Sequence, residues 1–530
     1  MKWDIIVVGG GVAGLTASIK AASYGKKVLL FEKNDKCGGL LNTFEKDGFL
    51  FDGGTKSLEG IVLALLKDFE LKLDYTKTVV SLGIEDKLIE IKNEDDLELY
   101  KNLLLTFYKE SSKDVEKIIK SIEEIGNLLK ATNKILGFKK NLNYIFTQFI
   151  PGFFSLLFNL KVLNKMKKPV ERYISEDLKI ENRYLSNVLI QHFFKGTPAF
   201  FVFGYFYYYM DYIYPKGGTA SLAVSLEKKA RDLGVEIKTN TPVEKVIPYE
   251  NVVVDSQGNK YHFDTLIWAA DLKKLYLNLD LNGLDDKTKA KVLQEKENIL
   301  NGKTAESVFN IFIEVDEQPE VFSKIHSPHV FYTPSRKGIM DLKGKEQFII
   351  NNFEKLSKNE IFKILDEFCS NNTYEISIPA LKDPEAAPSN KTGIIVSFLF
   401  NYEITKKAKE FGFYEELKDH VSRKVIDILS ETIYKDVQFK DKIIKFFSAT
   451  PLTIENISGS SCGSIVGWSM EYPLPVNGSL INMVGAVKTS INNIFKAGQW
   501  TMSPAGIPTS IITGQLASNE ALKYLKKGKK

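Results

Sequence analysis

The amino-acid sequence predicts an α/β fold in which a parallel-sheet domain, assembled from separated stretches of chain, is interleaved with a mixed α+β domain. Three observations carry this expectation. An apolar β-branched run at residues 4 to 8 ends directly in a glycine cluster and a helix rich in Ala and Ser. A second αβ block occupies the middle of the chain from residue 215. The last segment then returns to the opening pattern of apolar strand, glycine turn and helix.

Taken in order, Asp4 to Val8 reads as a buried parallel strand entering the turn Gly9-Gly10-Gly11-Val12-Ala13-Gly14. Leu15 to Tyr24 reads as a helix closed by Gly25, and Lys27 to Phe31 as the next strand, with Glu32 at its end. Residues 85 to 135 carry apolar positions at helical spacing between charges, which predicts two surface helices. From Tyr214-Pro215-Lys216-Gly217-Gly218 follow a helix (Thr219 to Leu233) and strands at Val235 to Lys238, Val252 to Asp255 and Thr265 to Ala270. Residues 285 to 450 mix strands (Val308 to Val315, Glu375 to Ile378, Ile394 to Phe400) with helices such as Tyr414 to Ile433. The chain closes on an apolar approach, Ile491 to Ala497, and a helix over Pro508 to Leu525.

At roughly 150 residues per domain, 530 residues allow about three domains or two large interleaved ones. Hydrophobic residues at 44% and charged residues at 26% place the chain among ordinary globular proteins. Its 71 basic and 66 acidic side chains nearly cancel, and only five of the basic ones are Arg, so no nucleic-acid partner is expected. Cys37, Cys369 and Cys462 are too few and too far apart for a disulfide framework or a CxxC metal site, which points to a reducing compartment. His326 and His329, in a Ser-Pro-containing segment, read as a surface loop, and no metal site is expected. The opening MKWDIIVVGGG leaves no room for a secretory signal before the first motif, so a cytoplasmic location is expected.

Gly9, Gly11 and Gly14 are spaced for a tight turn, a backbone able to approach a pyrophosphate, and close packing of helix on strand. Glu32 falls 18 residues after Gly14, near the offset of a ribose-binding acid. Together these read as a dinucleotide site, without deciding between FAD and NAD.

The continuation decides it by resemblance. Cys37-Gly38-Gly39-Leu40 and Phe49-Leu50-Phe51-Asp52-Gly53-Gly54 resemble the FAD-dependent amine-oxidase-like flavoproteins, and among them the phytoene desaturase, carotenoid isomerase and retinol saturase family. The resemblance extends through residues 214 to 218, Trp268-Ala269-Ala270-Asp271, residues 382 to 388 and 449 to 453, and the stretch from Phe495 to Pro508. It implies a Rossmann-type FAD-binding domain (1–75, 215–285 and 480–530) interleaved with a mixed α+β substrate domain (76–214 and 286–479).

The resemblance also implies roles. Gly9, Gly11, Ala13 and Gly14 would cradle the pyrophosphate, Glu32 with Lys33 would flank the adenosine ribose, and Val243 would meet adenine through its backbone. Gly39, Leu40 and Gly54 would line the flavin. Gly498 and Gln499 would lie by the ribityl chain, and the helix opening at Gly506-Ile507 would point its N–H groups at the ring. This chain departs from the usual pattern at Gln499, where Asp is common, and at Leu40, where Arg is common. No catalytic residue is assigned, and Asp211 reads as a helix-end residue or a partner of Lys216.

The implied activity is an FAD-dependent oxidoreductase acting on carbon–carbon bonds of a long apolar polyene or isoprenoid lipid, in a desaturating, saturating or isomerising direction. The alternatives are a flavin amine oxidase and a non-catalytic prenyl-lipid binding protein on the same fold. Only one nucleotide fingerprint is present, so electrons must pass to or from an outside partner such as a quinone. Twelve of the 22 residues from Phe193 to Tyr214 are Phe or Tyr, a composition suited to the wall of a polyene channel. Asn141 to Leu160 is uncharged and is flanked by Lys139, Lys140, Lys161, Lys165, Lys167 and Lys168. That pattern fits peripheral contact with an anionic membrane across 139–168 better than a spanning helix, because Pro151-Gly152 breaks the run.

Overall fold

The computed structural model describes residues 2–136, 162–340, 342–476 and 483–527. One seven-stranded sheet carries the glycine cluster. Its order is Glu236–Lys238, Val28–Phe31, Lys2–Val8, Lys260–Trp268, Val252–Asp255, Val243–Ile247, with Ile494–Lys496 also paired to Lys260–Trp268. The first four of these strands run parallel, with Ile5 opposite both Val28 and Thr265. Ile5, Ile6 and Val7 are wholly buried, as expected of a strand covered on both faces.

Lys260–Trp268 is long enough to serve two neighbours. Its first half pairs antiparallel with Val252–Asp255, and Leu266 to Trp268 pair parallel with Ile494–Lys496. The helix Val12–Ala22 packs against the sheet and against the closing helix Ile507–Lys527. A Cβ on Gly514 would lie 2.4 Å from the Ala13 carbonyl, so these two helices touch nearly backbone to backbone.

The second seven-stranded sheet is mixed, in the order Ile443–Ala449, Ser307–Val315, Thr392–Phe400, Tyr374–Ser377, His329–Thr333, Val80–Ile84, Lys87–Ile91. All its pairs are antiparallel except His329–Thr333 with Val80–Ile84. Its first five strands and the helices Lys358–Asn371 and Tyr414–Glu431 share one apolar core. A separate core joins the helices Leu97–Phe107, Ser112–Leu136, Arg183–Ile190 and Ala199–Tyr209 to Val80–Ile84. A small three-stranded sheet, Leu58–Glu59, Tyr212–Pro215 and Tyr75–Lys77, links the two parts of the molecule.

Several expectations are corrected. Residues 87 to 91 are a strand, so the charged helical region begins only at Leu97: the hairpin with Val80–Ile84 claims the alternating residues Leu88 to Ile91. His326 and His329 are not on a surface loop but are buried, His326 between the Ser327 carbonyl and the Tyr434 hydroxyl. Asp211 does not pair with Lys216, which meets Glu385 at 3.0 Å. Asp211 follows the end of the helix Ala199–Tyr209, as its helix-end reading expects, with its N–H donating to the Tyr208 carbonyl at 3.0 Å and its backbone carbonyl accepting from Gly60 N–H at 2.8 Å. The Asn141 to Leu160 stretch lies outside the described residues. Among the described residues no helix is long and apolar enough to cross a membrane.

Candidate functional site

A continuous cavity of about 870 Å³ runs from the C-terminal edge of the parallel sheet to the face of the mixed sheet. Its first part is built from backbone. The Gly9 φ of +106° and a Cβ position only 2.9 Å from the Ala269 carbonyl exclude any other residue there. Gly11, which precedes the helix Val12–Ala22, would place a Cβ in open space at the cavity wall. The second glycine pair folds onto the first, with Gly38 N–H donating to the Gly10 carbonyl at 2.9 Å. Gly54 is pressed against the Leu40 carbonyl, 1.8 Å from where a Cβ would stand. Two helix N-termini, after Gly11 and at Ile507, therefore face one space, the arrangement that holds a phosphate and an electron-rich ring.

Glu32, buried at the end of its strand, accepts from Gly10 N–H at 2.8 Å and Asn34 N–H at 2.9 Å. Burial raises its pKa, and these N–H groups work against that shift. Beside it, burial and the neighbouring Lys274 lower the pKa of Lys33. At the other side Gly498 N–H is taken by Thr513 Oγ1 at 3.0 Å. The Gln499 amide is committed to Ser460 Oγ and the Ser464 carbonyl.

Of the residues singled out in the sequence, the cavity brings together Gly9, Gly11, Ala13, Glu32, Lys33, Gly39, Leu40 and Gly54. It also takes in Val243, Gly498, Gln499, Gly506 and Ile507. Gly14 is the exception. It sits behind the wall, where a Cβ would fall 1.9 Å from the Gly9 carbonyl, so its part is the close approach of helix to strand. From the aromatic run, Phe193, Phe194, Phe201, Tyr205 and Tyr212 reach the cavity, whereas Phe203, Phe206 and Tyr209 are buried in the helical core. Phe312, Phe447, Val308 and Leu399 add an apolar wall from the mixed sheet.

Sequence reasoning missed a buried polar group directly after Gly54. Lys56 Nζ donates to the Gly54 carbonyl at 2.7 Å and to Asn310 Oδ1 at 3.2 Å. Lys382 Nζ donates to the Lys56 carbonyl at 2.7 Å and to Ser377 Oγ at 2.8 Å. Ser57 Oγ lies 3.2 Å from both Lys382 Nζ and His329 Nδ1, and His329 Nε2 is 3.1 Å from Glu375 Oε1. Burial lowers the Lys382 ammonium to about 7 and His329 to about 4. For Glu375 burial pushes upward, but His329, Lys56 and Lys382 together outweigh it and hold the carboxyl at about 2. Among the described residues no cluster of three or more His, Cys, Asp or Glu is arranged to hold a metal.

A backbone cradle under two helix ends, a buried acid at the end of the second strand and an aromatic chamber beyond define a dinucleotide-dependent oxidoreductase, and comparison with known proteins makes the class specific. Residues 12–340 match the model of the flavin containing amine oxidoreductases, and the chain belongs to that family. It is phytoene desaturase-like within it, an FAD-dependent oxidoreductase. A 4,4'-diapophytoene desaturase (4,4'-diaponeurosporene-forming) of Staphylococcus aureus is 22% identical over 99% of both chains. A phytoene desaturase of Fusarium fujikuroi is 24% identical over 99% of this chain and 90% of its own.

Among solved structures, an oxidoreductase from Methanosarcina mazei matches 99% of this chain and 100% of its own at TM-score 0.56 and 14% identity. Putrescine oxidase bound to putrescine matches 99% of both chains at TM-score 0.57 and 12% identity. These likenesses show the fold.

Proposed function

We propose that the protein acts on carbon–carbon bonds of a long apolar polyene or isoprenoid lipid, by desaturating, saturating or isomerising them. The observation that carries this reading is one cavity in which the nucleotide cradle opens, without a partition, onto walls of Phe, Tyr, Val and Leu. The named activities of the carotenoid-desaturase relatives agree with it. In this reading Glu32 orients the adenosine ribose, Gly9, Gly11 and Ala13 with the helix start hold the pyrophosphate, and Val243 borders adenine. Gly39, Leu40 and Gly54 bound the flavin ring, with Gly498 and Gln499 along the ribityl chain and Gly506 and Ile507 at the ring's far edge. FAD supplies the two-electron chemistry. The chain itself excludes water with its aromatic wall and keeps an extended substrate beside the ring.

An external electron partner, such as a quinone, and peripheral contact with an anionic membrane through 139–168 complete the reading. Substrates of this class dissolve in bilayers, and the Lys residues flanking the apolar run suit such a surface.

The test is anaerobic. The oxidised and the photoreduced holoenzyme are each mixed with phytoene or 4,4'-diapophytoene. Loss of two hydrogens with flavin reduction marks desaturation. Gain of two with reoxidation marks saturation, and a moved double bond at constant mass marks isomerisation. Unaltered lipid in every redox state overturns the proposal.

A further inference from the structure

Beyond Gly53 and Gly54 the cavity contains charge that an apolar substrate gives no reason to bury. Glu375 stands on the strand Tyr374–Ser377. Its side chain is 29% exposed, and that exposure opens onto the cavity it lines. His329, on the adjoining strand, is 1% exposed and presents Nε2 to it. A line of polar contacts then runs inward from Glu375 through His329 and Ser57 to Lys382. The aromatic rings of Tyr212 and Phe331 flank His329 at 5.2 and 5.4 Å between centroids, which fixes the plane of the imidazole. Among the described residues one Glu375 oxygen meets a partner side chain, His329 Nε2 at 3.1 Å, and the partly exposed carboxylate keeps its other oxygen toward the cavity.

We propose that Glu375, with His329 as its positioning residue, is the group that accepts and returns the substrate proton. The proposal rests on the polyene reading above and names the group that reading leaves open. Removal of two hydrogens from adjacent carbons must balance. One hydrogen would leave its carbon with the bonding electron pair, the two-electron acceptance that oxidised FAD would supply. The neighbouring carbon then gives up a proton to a Glu375 oxygen, and the freed electron pair becomes the new double bond. In the saturating direction each transfer is reversed, and an isomerisation uses the proton step in both senses.

A weakly basic carboxylate suffices, because a C–H beside a carbon that is losing hydride is strongly acidic. The same anion stabilises the positive charge growing on the chain. The groups facing Glu375 agree with an anion that can still take a proton. Lys56 and Lys382 lie behind it, with Asp52 beyond them to offset their charge, and neutral His329 lies beside it. His192, Tyr205, Tyr212 and Glu59 line the same cavity. Burial lowers the His192 pKa to about 4 and raises those of the other three.

The test uses holoenzyme in single anaerobic turnovers with phytoene or 4,4'-diapophytoene. Glu375→Gln is expected to slow flavin reduction by about 100-fold or more, with FAD content and the substrate-induced change in flavin absorbance retained, and Glu375→Asp to recover part of the rate. His329→Gln, keeping FAD, should displace the acid limb of the pH profile. A Glu375→Gln rate within about threefold of the native one overturns the proposal.

A second readout needs no substrate: the infrared difference between photoreduced and oxidised holoenzyme, in H₂O and D₂O. A deuterium-sensitive band of protonated carboxyl in the native protein that vanishes in Glu375→Gln supports the assignment, and a band unchanged in the variant overturns it. If neither hydrocarbon is altered by the native enzyme while the band behaves as expected, the substrate reading fails and the proton-transfer group stands.

Discussion

The Tyr214 hydroxyl donates to Asp52 Oδ2 at 2.7 Å, across 162 residues of sequence. The same wholly buried carboxylate accepts from Thr43 Oγ1 and from both the N–H and the hydroxyl of Thr219. It therefore ties the segment before Gly53-Gly54 to the Tyr214-Pro215-Lys216-Gly217-Gly218 turn. Asp52→Ala strands several buried donors at once, each costing about 1–3 kcal/mol, whereas Tyr214→Phe removes a single bond to a charged acceptor, about 2 kcal/mol. Denaturant unfolding of the holoenzyme should rank the pair in that order. Loss of flavin should accompany Asp52→Ala.

Gly11 and Gly14 stand three residues apart and should fail differently. A side chain at Gly11 enters open space in the cavity, so Gly11→Val should fold, keep its circular dichroism and retain less than about a tenth of the FAD. Gly14→Ala forces the helix away from the Gly9 carbonyl, 1.9 Å from the new methyl, and should lower thermal stability and soluble yield first. Flavin absorbance per folded protein, together with melting temperature, separates the two.

Lys382 releases its proton near pH 7 when folded, against an ordinary value of 10.5, because burial disfavours the ammonium. Between those values the unfolded chain binds the extra proton, so this residue's contribution to stability rises with pH from about 7 to 10.5. Below pH 7 its full penalty is present. Lys382→Met should flatten the stability curve over that window, measured by urea unfolding from pH 7 to 10.

Lys165 and Lys168 both reach Asp177, at 3.6 and 2.5 Å, and Lys168 also meets Glu176 at 3.2 Å. The positive charge of this region is thus partly neutralised by acids later in the chain. Replacing Lys165, Lys167 and Lys168 by Gln should still weaken sedimentation with anionic liposomes, by at most about 1 kcal/mol per residue. Added salt should weaken the native protein in the same sense. Equal sedimentation of native and variant protein would remove this surface from the membrane reading.

The cofactor end of the cavity was legible in the sequence because its demands are local. A backbone that approaches phosphate needs glycine at set spacings, and the acid must end the next strand, so Gly9, Gly11 and Glu32 announce themselves. The polar group around Glu375 has no such spacing. Lys56, His329, Glu375 and Lys382 come from three regions of chain, and they meet only because His329–Thr333 pairs with Tyr374–Ser377 above the turn after Gly54. The available signal was a charged residue, Glu375, inside the apolar run Tyr374 to Ile378. The hairpin of Val80–Ile84 and Lys87–Ile91 was missed for a related reason. Its alternation continues into helical spacing at Leu97, and tertiary pairing rather than local propensity fixes where one ends.

Because Ile494–Lys496 completes the sheet beside Lys260–Trp268 and the closing helix covers Val12–Ala22, the order of synthesis matters. At 5–20 residues per second a ribosome needs roughly 25–110 s to make a chain of this length. For nearly all that time the helix Val12–Ala22 lacks its cover and Lys260–Trp268 lacks its parallel neighbour at Leu266 to Trp268. The cavity that takes the cofactor is therefore complete only once Gly498 to Ile507 have been made and folded against the first strand and helix.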